Sequence, residues 1–177
     1  EYSKERERGY NSLEDLLVPG YFEMPIKKGE SIVFSASVKK PEETAKLSAM
    51  MDKEIAPRLP LDSFYHCLVH AAHQFKFQKD GESYILAGYH WFKSRARDTF
   101  IGLTGLTLSI GETEEFESYM VTAQKAIYDY INKRPISVQI YEMEKPDVLL
   151  WAIRTVENYA LYTSNKQCYE KYGTLLK

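Results

Sequence analysis

The hydrophobic positions change period once along the chain. From Glu1 to about Lys40, β-rich runs at residues 21–26 and 31–37 alternate with the breakers Pro19-Gly20 and Lys28-Gly29, which predicts two short strands. Two strands do not make a stable sheet alone, so they read as the terminal strands of a longer β domain. After Pro41 the period becomes helical: Leu47, Met51 and Ile55 recur one turn apart, and Pro57-Arg58-Leu59-Pro60 ends that helix. Asp62 is placed to cap a second helix with Leu61, Tyr65, Leu68, Ala72 and Phe75 on one face. "FKFQKDGESYILAGY" reads as a hairpin turning at Asp80-Gly81. A third helix is predicted from Arg97 to about Ile110. A fourth follows Gly111, with Glu112, Glu114 and Glu115 near its start and a stripe of Phe116, Met120, Ala123, Ile127 and Tyr130. A fifth begins at Pro146 and carries Leu149, Ile153, Val156 and Ala160, and a short sixth covers residues 166–172. There is no internal repeat and no low-complexity segment.

Composition narrows the classes. The 177 residues are 44% hydrophobic, enough for one fair-sized core. A net charge of −2 provides no broad basic field and speaks against nucleic acid as a partner. No apolar run reaches membrane-spanning length, so no membrane partner is expected, and no secretory signal pattern is present. The chain opens on Glu1 rather than a methionine, so missing targeting signals carry little weight. Cys67 and Cys168 form neither a zinc spacing nor a disulfide framework; the expectation is two reduced thiols in the interior of a cytoplasmic protein.

Three stretches carry candidate chemistry. "AGYHWFKSRARDTFIGLTGLTL" sets Tyr89, Trp91 and Phe92 beside Arg97 and Asp98. An adjacent donor and acceptor can grip a sugar hydroxyl from both sides, and flat rings suit the C–H face of a pyranose. The same residues also read as an Arg–Asp ion pair at a helix start with aromatics packed beneath, and composition alone favours that reading. In "YEMEKPDVLLW", Pro146 suits the first helical position and puts Asp147 in the first turn. There the macrodipole stabilises the carboxylate, whereas a general acid needs a raised pKa. Burial, or repulsion from Glu142 or Glu144, would have to outweigh the dipole. In "HCLVHAAH", His66, His70 and His73 have a spacing that can hold a metal. No acidic residue follows Asp62 in that helix, so they read as structural or surface histidines, and neither a metal nor a cofactor is expected.

These residues resemble a known family. "AGYHWFKSRARDTFIGLTGLTLSIGETEEFESYM" is similar to the segment of glycogen debranching enzymes that runs GYPWF, WGRDTFI, LPGL and then a helix. "LVHAAHQFKFQKDGESYILAGY" resembles the AADQF step and hairpin before it. "KPDVLLWAIRTVENYALYTSNKQCYEKY" resembles the DAxLWF helix, and "ERGYNSLEDLLVPGYFEMPIKKGESIVFSAS" resembles the close of the family's N-terminal β domain. The chain departs from these patterns at His73, His90, Arg95-Ala96, Thr104 and Glu144.

The resemblance implies a mainly α fold with a small β portion, organised in three parts. Residues 1–40 would be the terminal strands of a β-sandwich, 41–60 a linker helix, and 61–177 the first part of an (α/α)6 toroid of the glucoamylase-like, six-hairpin type. It implies an amylo-α-1,6-glucosidase that releases the single glucose left at a trimmed branch of glycogen or a related α-glucan, inverting the anomeric centre. Arg97 and Asp98, with Tyr89, Trp91 and Phe92, would bind the glucose, and Asp147 would be the general acid. The base would be a carboxylate on a later helix of the same polypeptide, so the chain is expected to be an inactive fragment whose uncovered helices invite a second copy to pair with it. The alternatives are another (α/α)6 glycosidase, glucoamylase- or trehalase-like, and a degenerate barrel that binds α-glucan without cleaving it.

Overall fold

The computed structural model describes residues 1–38, 40, 43–56, 58–89, 92–136 and 138–176, and divides into two units, Glu1–Ala56 and Pro57–Lys177. The first unit holds helices α1 (Ser3–Glu7) and α2 (Thr44–Ile55). The turn expected at Lys28-Gly29 forms: the Glu30 amide donates to the Lys27 carbonyl at 3.0 Å, and Gly29 takes φ 91°. The rings of Phe22 and Phe34 meet edge-on across it at 5.6 Å. The flanking runs, however, do not pair into the predicted strands among the described residues. Two strands hold together only when one face is covered, and here Tyr21 and Phe22 remain 86% and 80% exposed. The α2 stripe does find a use: Leu47 and Met51 line a groove of about 500 Å³ together with Ile32, Val33 and Phe34.

The second unit contains α3 (Phe64–Gln74), the hairpin β1 (Lys76–Lys79) and β2 (Glu82–Ile85), α4 (Ala96–Leu106), a 3-10 turn (Leu108–Ile110), α5 (Thr113–Ile131), α6 (Val148–Tyr162) and α7 (Asn165–Tyr172). The chain is thus mainly helical, with one two-stranded sheet among the described residues. The hairpin turns where the sequence predicts it. Asp80 and Gly81 both take positive φ, 54° and 78°, the conformation that matches the right-handed twist of the strands they join. Lys76 pairs with Ile85 and Lys79 with Glu82 in antiparallel register. β2 carries the inward side, with Ser83, Tyr84 and Ile85 buried.

The α5 stripe is the spine of the core. Phe116, Met120, Ala123 and Ile127 are fully or almost fully buried, and Tyr130 packs at the edge. Phe100 and Leu103 of α4, with Val148, Val156 and Tyr159 of α6, complete the cluster. Tyr159 stacks on Phe116 at 5.1 Å and meets Tyr172 of α7 edge-on at 5.0 Å. Its hydroxyl donates to Glu117 at 2.5 Å and accepts from Gln167 Nε2 at 3.1 Å. Burial first, and then Glu117, push this phenol up to about 12.

Three expectations about the helices are corrected. The cap of α3 is Ser63, whose hydroxyl accepts the His66 amide at 3.1 Å, while Asp62 instead receives His66 Nδ1 at 2.6 Å. The buried face of α3 is Val69 and Ala72, leaving Leu61, Tyr65 and Leu68 outside. In α6 the buried positions are Val148, Ala152, Thr155, Val156 and Tyr159, so Ile153 lies outside at 54% exposure. Both segments are apolar on several faces, and the neighbouring helices decide which face is buried. Cys168 is buried but Cys67 is exposed, so only one of the two expected interior thiols is interior. Among the described residues, no helix is long and apolar enough to cross a membrane.

A polar cluster fastens α3 and the hairpin to the start of α5. Lys76, with its side chain only 7% exposed, reaches both Glu112 and Glu115, and His73 Nε2 lies 2.7 Å from Glu112. Burial alone would raise the Glu112 carboxyl, but hydrogen bonds from Lys76 and His73 outweigh it and hold the carboxyl below its ordinary value. A carboxylate depressed in this way contributes stability above its unfolded pKa of about 4.3, and that stability is lost as pH falls through the folded value. Glu112→Gln should therefore destabilise the chain at neutral pH by about 1–3 kcal/mol. It should also flatten the acid limb of a pH series of urea denaturations, and an unchanged acid limb would show that the cluster contributes nothing.

Candidate functional site

The beginning of α4 and the lead-in to α6 are laced together through the backbone. The Ala96 amide donates to the Tyr141 carbonyl, and the Tyr141 amide to the Ser94 carbonyl, both at 2.9 Å. They form an isolated parallel bridge between Arg95 and Tyr141. Val138, Ile140 and Met143 are buried on either side and anchor the connection in the core. Lys93 and Glu142, next to the bridge, take φ of 59° and 60°. Non-glycine residues in that region carry a strain of about 1–3 kcal/mol each, and such outliers cluster at ligand sites.

This lacing places Arg97 against Asp147. Arg97 Nη2 donates to Asp147 Oδ1 at 2.8 Å, and Trp151 Nε1 donates to Asp147 Oδ2 at 3.2 Å. The sequence suggested an ion pair between the neighbours Arg97 and Asp98; the structure pairs Arg97 instead with a carboxylate fifty positions away. Asp147 is the N-cap residue of α6 rather than a first-turn residue after Pro146, and its side chain makes no cap bond because Arg97 and Trp151 occupy it. The Arg97 hydrogen bond holds the Asp147 carboxyl below its ordinary value, against a smaller upward push from burial. The raised pKa that a general acid needs is therefore not the resting state of Asp147. Arg97 also sits in the field of Asp98 and Glu142, and Arg95 Nε lies 3.8 Å from Glu142.

Asp98 follows Arg97 in the first turn of α4 and turns to a different face. It lines an open cleft of about 350 Å³ whose other walls are apolar, including Phe75, Ile85, Leu86 and Ile101. No hydrogen bond or ion pair to Asp98 is present among the described residues. The cleft lining includes neither Arg97 nor Asp147. Tyr89 packs on Phe75 with ring centres 5.5 Å apart and donates its hydroxyl to the Gln74 carbonyl. Phe92 is 43% exposed and carries the Arg95 guanidinium over its ring at 5.3 Å. Trp91 and His90 lie outside the described residues. The three histidines do not converge, since His66 goes to Asp62 and the Pro60 carbonyl while His73 goes to Glu112.

Trp151 joins this neighbourhood without having been among the candidate residues, although its spacing from Asp147, one helical turn, was an available signal. Arg95, a departure from the family pattern, lies beside Glu142 and Phe92.

Residues 63–176 match the family model described as amylo-alpha-1,6-glucosidase. The chain belongs to that family. Residues 1–33 match a second model, described as glycogen debranching enzyme N terminal. No curated protein and no solved structure matches the chain. The amylo-alpha-1,6-glucosidase match covers every residue of the ion pair, the cleft and the polar cluster.

Arg97→Gln removes the donor that holds Asp147 ionised. The Asp147 carboxyl should titrate at higher pH in the variant than in the parent, measured by carbon-detected NMR of the side-chain carboxyl. An unmoved midpoint would show that the ion pair does not persist in solution.

Proposed function

We propose that this chain supplies the glucose-gripping and proton-donating wall of an inverting amylo-α-1,6-glucosidase acting on glycogen or a related branched α-glucan. The observation that carries the reading is the Arg97–Asp147 pair at 2.8 Å, which joins the two stretches that separately suggested sugar binding and acid catalysis. Arg97 binds a hydroxyl of the terminal glucose from the ion-pair side, and Asp98 binds another from the apolar cleft on its own face, with Phe92, Tyr89 and Trp91 as the apolar ring surface. Asp147, protonated, gives its proton to the glycosidic oxygen as the bond from that oxygen to the anomeric carbon breaks. Water, activated by a carboxylate elsewhere in the polypeptide, attacks the opposite face of the sugar. The first part of an (α/α)6 toroid, preceded by terminal strands of a β domain and a linker helix, is the architecture proposed to hold this wall.

The resting ion pair sets a condition on the mechanism. Asp147 can take up a proton only when Arg97 turns away, and sugar hydroxyls that engage the guanidinium do that. Substrate binding then converts a depressed carboxyl into an acid of ordinary or raised pKa. The same ion pair favours a second reading, α-glucan binding without turnover, in which Asp147 stays ionised.

In the polypeptide that carries the base, Asp147→Asn should abolish glucose release from limit dextrin while leaving glucan affinity within a few fold. Asp98→Asn should lower kcat/KM by about 10- to 100-fold, the worth of one charged hydrogen bond. Steady glucose release by the parent excludes the binding-only reading. A preference for trehalose or maltose over limit dextrin would assign the site to another glycosidase specificity, and mild, equal effects of the two substitutions would remove both residues from the sugar.

A further inference from the structure

The two oxygens of Asp147 are not equivalent. Oδ1 faces the Arg97 guanidinium at 2.8 Å and Oδ2 faces the Trp151 indole at 3.2 Å. The two donors differ in how firmly they are seated. Arg97 sits on an exposed side chain in contact with solvent and is free to pair with another acceptor. Trp151 is fixed to the same helix as Asp147, one turn on, and its amide donates to the Asp147 carbonyl at 3.0 Å. Thr155, one turn further on, donates its buried hydroxyl to the Phe100 carbonyl of α4 at 2.7 Å, with the Trp151 carbonyl 2.8 Å from the same hydroxyl. The turn carrying Trp151 is thereby tied to the neighbouring helix.

We infer that Trp151 is a positioning residue that assigns the proton of Asp147 to Oδ1, the oxygen on the Arg97 side. An indole N–H donates and cannot accept, so the oxygen it faces stays an acceptor in both charge states of the carboxyl. Protonation of Oδ2 would set an O–H oxygen, a poorer acceptor, against a fixed donor. The proton therefore goes to Oδ1, and it does so only when the guanidinium leaves. Trp151 also stops the carboxyl from rotating its two oxygens past each other, so the O–H keeps one direction. This deepens the proposed role of Asp147 and rests on that reading for its catalytic meaning, but the geometry is testable without any substrate.

The experiment follows the Trp151 Nε1–H proton resonance and the Asp147 side-chain carboxyl by NMR through an acid titration of the 177-residue chain. Triple-resonance spectra of the parent chain assign the two signals, and Trp151→Phe and Asp147→Asn check the assignment. The indole resonance should shift in a single step with the midpoint of the Asp147 carboxyl, and that step should vanish in Asp147→Asn. In Trp151→Phe, which keeps an aromatic ring and removes the donor, the Asp147 midpoint should move up. In Arg97→Gln the indole step should persist at the new, higher midpoint. An indole resonance that stays flat through the carboxyl titration overturns the inference without needing any variant to fold, as does an Asp147 midpoint unchanged in a folded Trp151→Phe. A substitution that only loosened packing would leave the coupled titration of the parent unexplained. Absence of glucan binding or hydrolysis would count against the proposed function and leave these titrations as they are.

Discussion

Two backbone hydrogen bonds made by Tyr141 organise the end of this protein that carries the candidate site. They hold the entry of α4 beside the segment that leads into α6, and both helices begin where the candidate chemistry lies. Neither bond would survive in isolation, since an unsupported pair of peptide bonds in water has little net worth. They persist because Ile140 and Met143 on one strand of the bridge, and Ala96 on the other, are buried in the core built on α5. The strained backbone of Lys93 and Glu142 is the cost of turning both segments sharply at the same level. Packing at the centre thus fixes the relative positions of charged groups at the surface.

The electrostatics follow the same hierarchy. Where charges are part of the scaffold, as in the Lys76, His73, Glu112 and Glu115 cluster, the central Lys76 and Glu112 are the more buried members and have two partners each. Where they belong to the candidate site, as in Arg97 and Asp147, they are half exposed and joined by a single contact between guanidinium and carboxylate. An exposed pair of that kind contributes little to stability and is readily exchanged for another partner. The proposed role of the pair, in which a ligand takes over the guanidinium, requires that ease of exchange.

The sequence carried some of this plainly and some not at all. The α5 stripe and the Asp80-Gly81 turn were legible because each is a local signal with one physical solution: a single apolar face, and a dipeptide that tolerates left-handed backbone. The buried faces of α3 and α6 were not, because Leu149, Leu150, Trp151, Ala152 and Ile153 form an apolar run in which any face could be the inner one. The strands expected in the first unit need a covered face, and nothing local supplies one. Family resemblance put Asp147 and Arg97 in one site, but their direct contact depends on the Tyr141 bridge. No short-range pattern encodes that pairing.

The separation of Arg97 from Asp147 along the chain also bears on what holds the two together. The hairpin forms from neighbouring residues and meets α5 through the Ser83 amide and the Thr122 hydroxyl, 39 positions on. The ion pair closes a loop of 50, at an entropic cost on the order of 3–4 kcal/mol that its own modest energy cannot offset. The two halves of the candidate site are therefore held together by the docking of α6 on α4 and not by the ion pair itself. A glucan that gripped both halves would bind only the docked state and shift the population toward it by mass action. Under that coupling, the ligand would act as a fastener between α4 and α6.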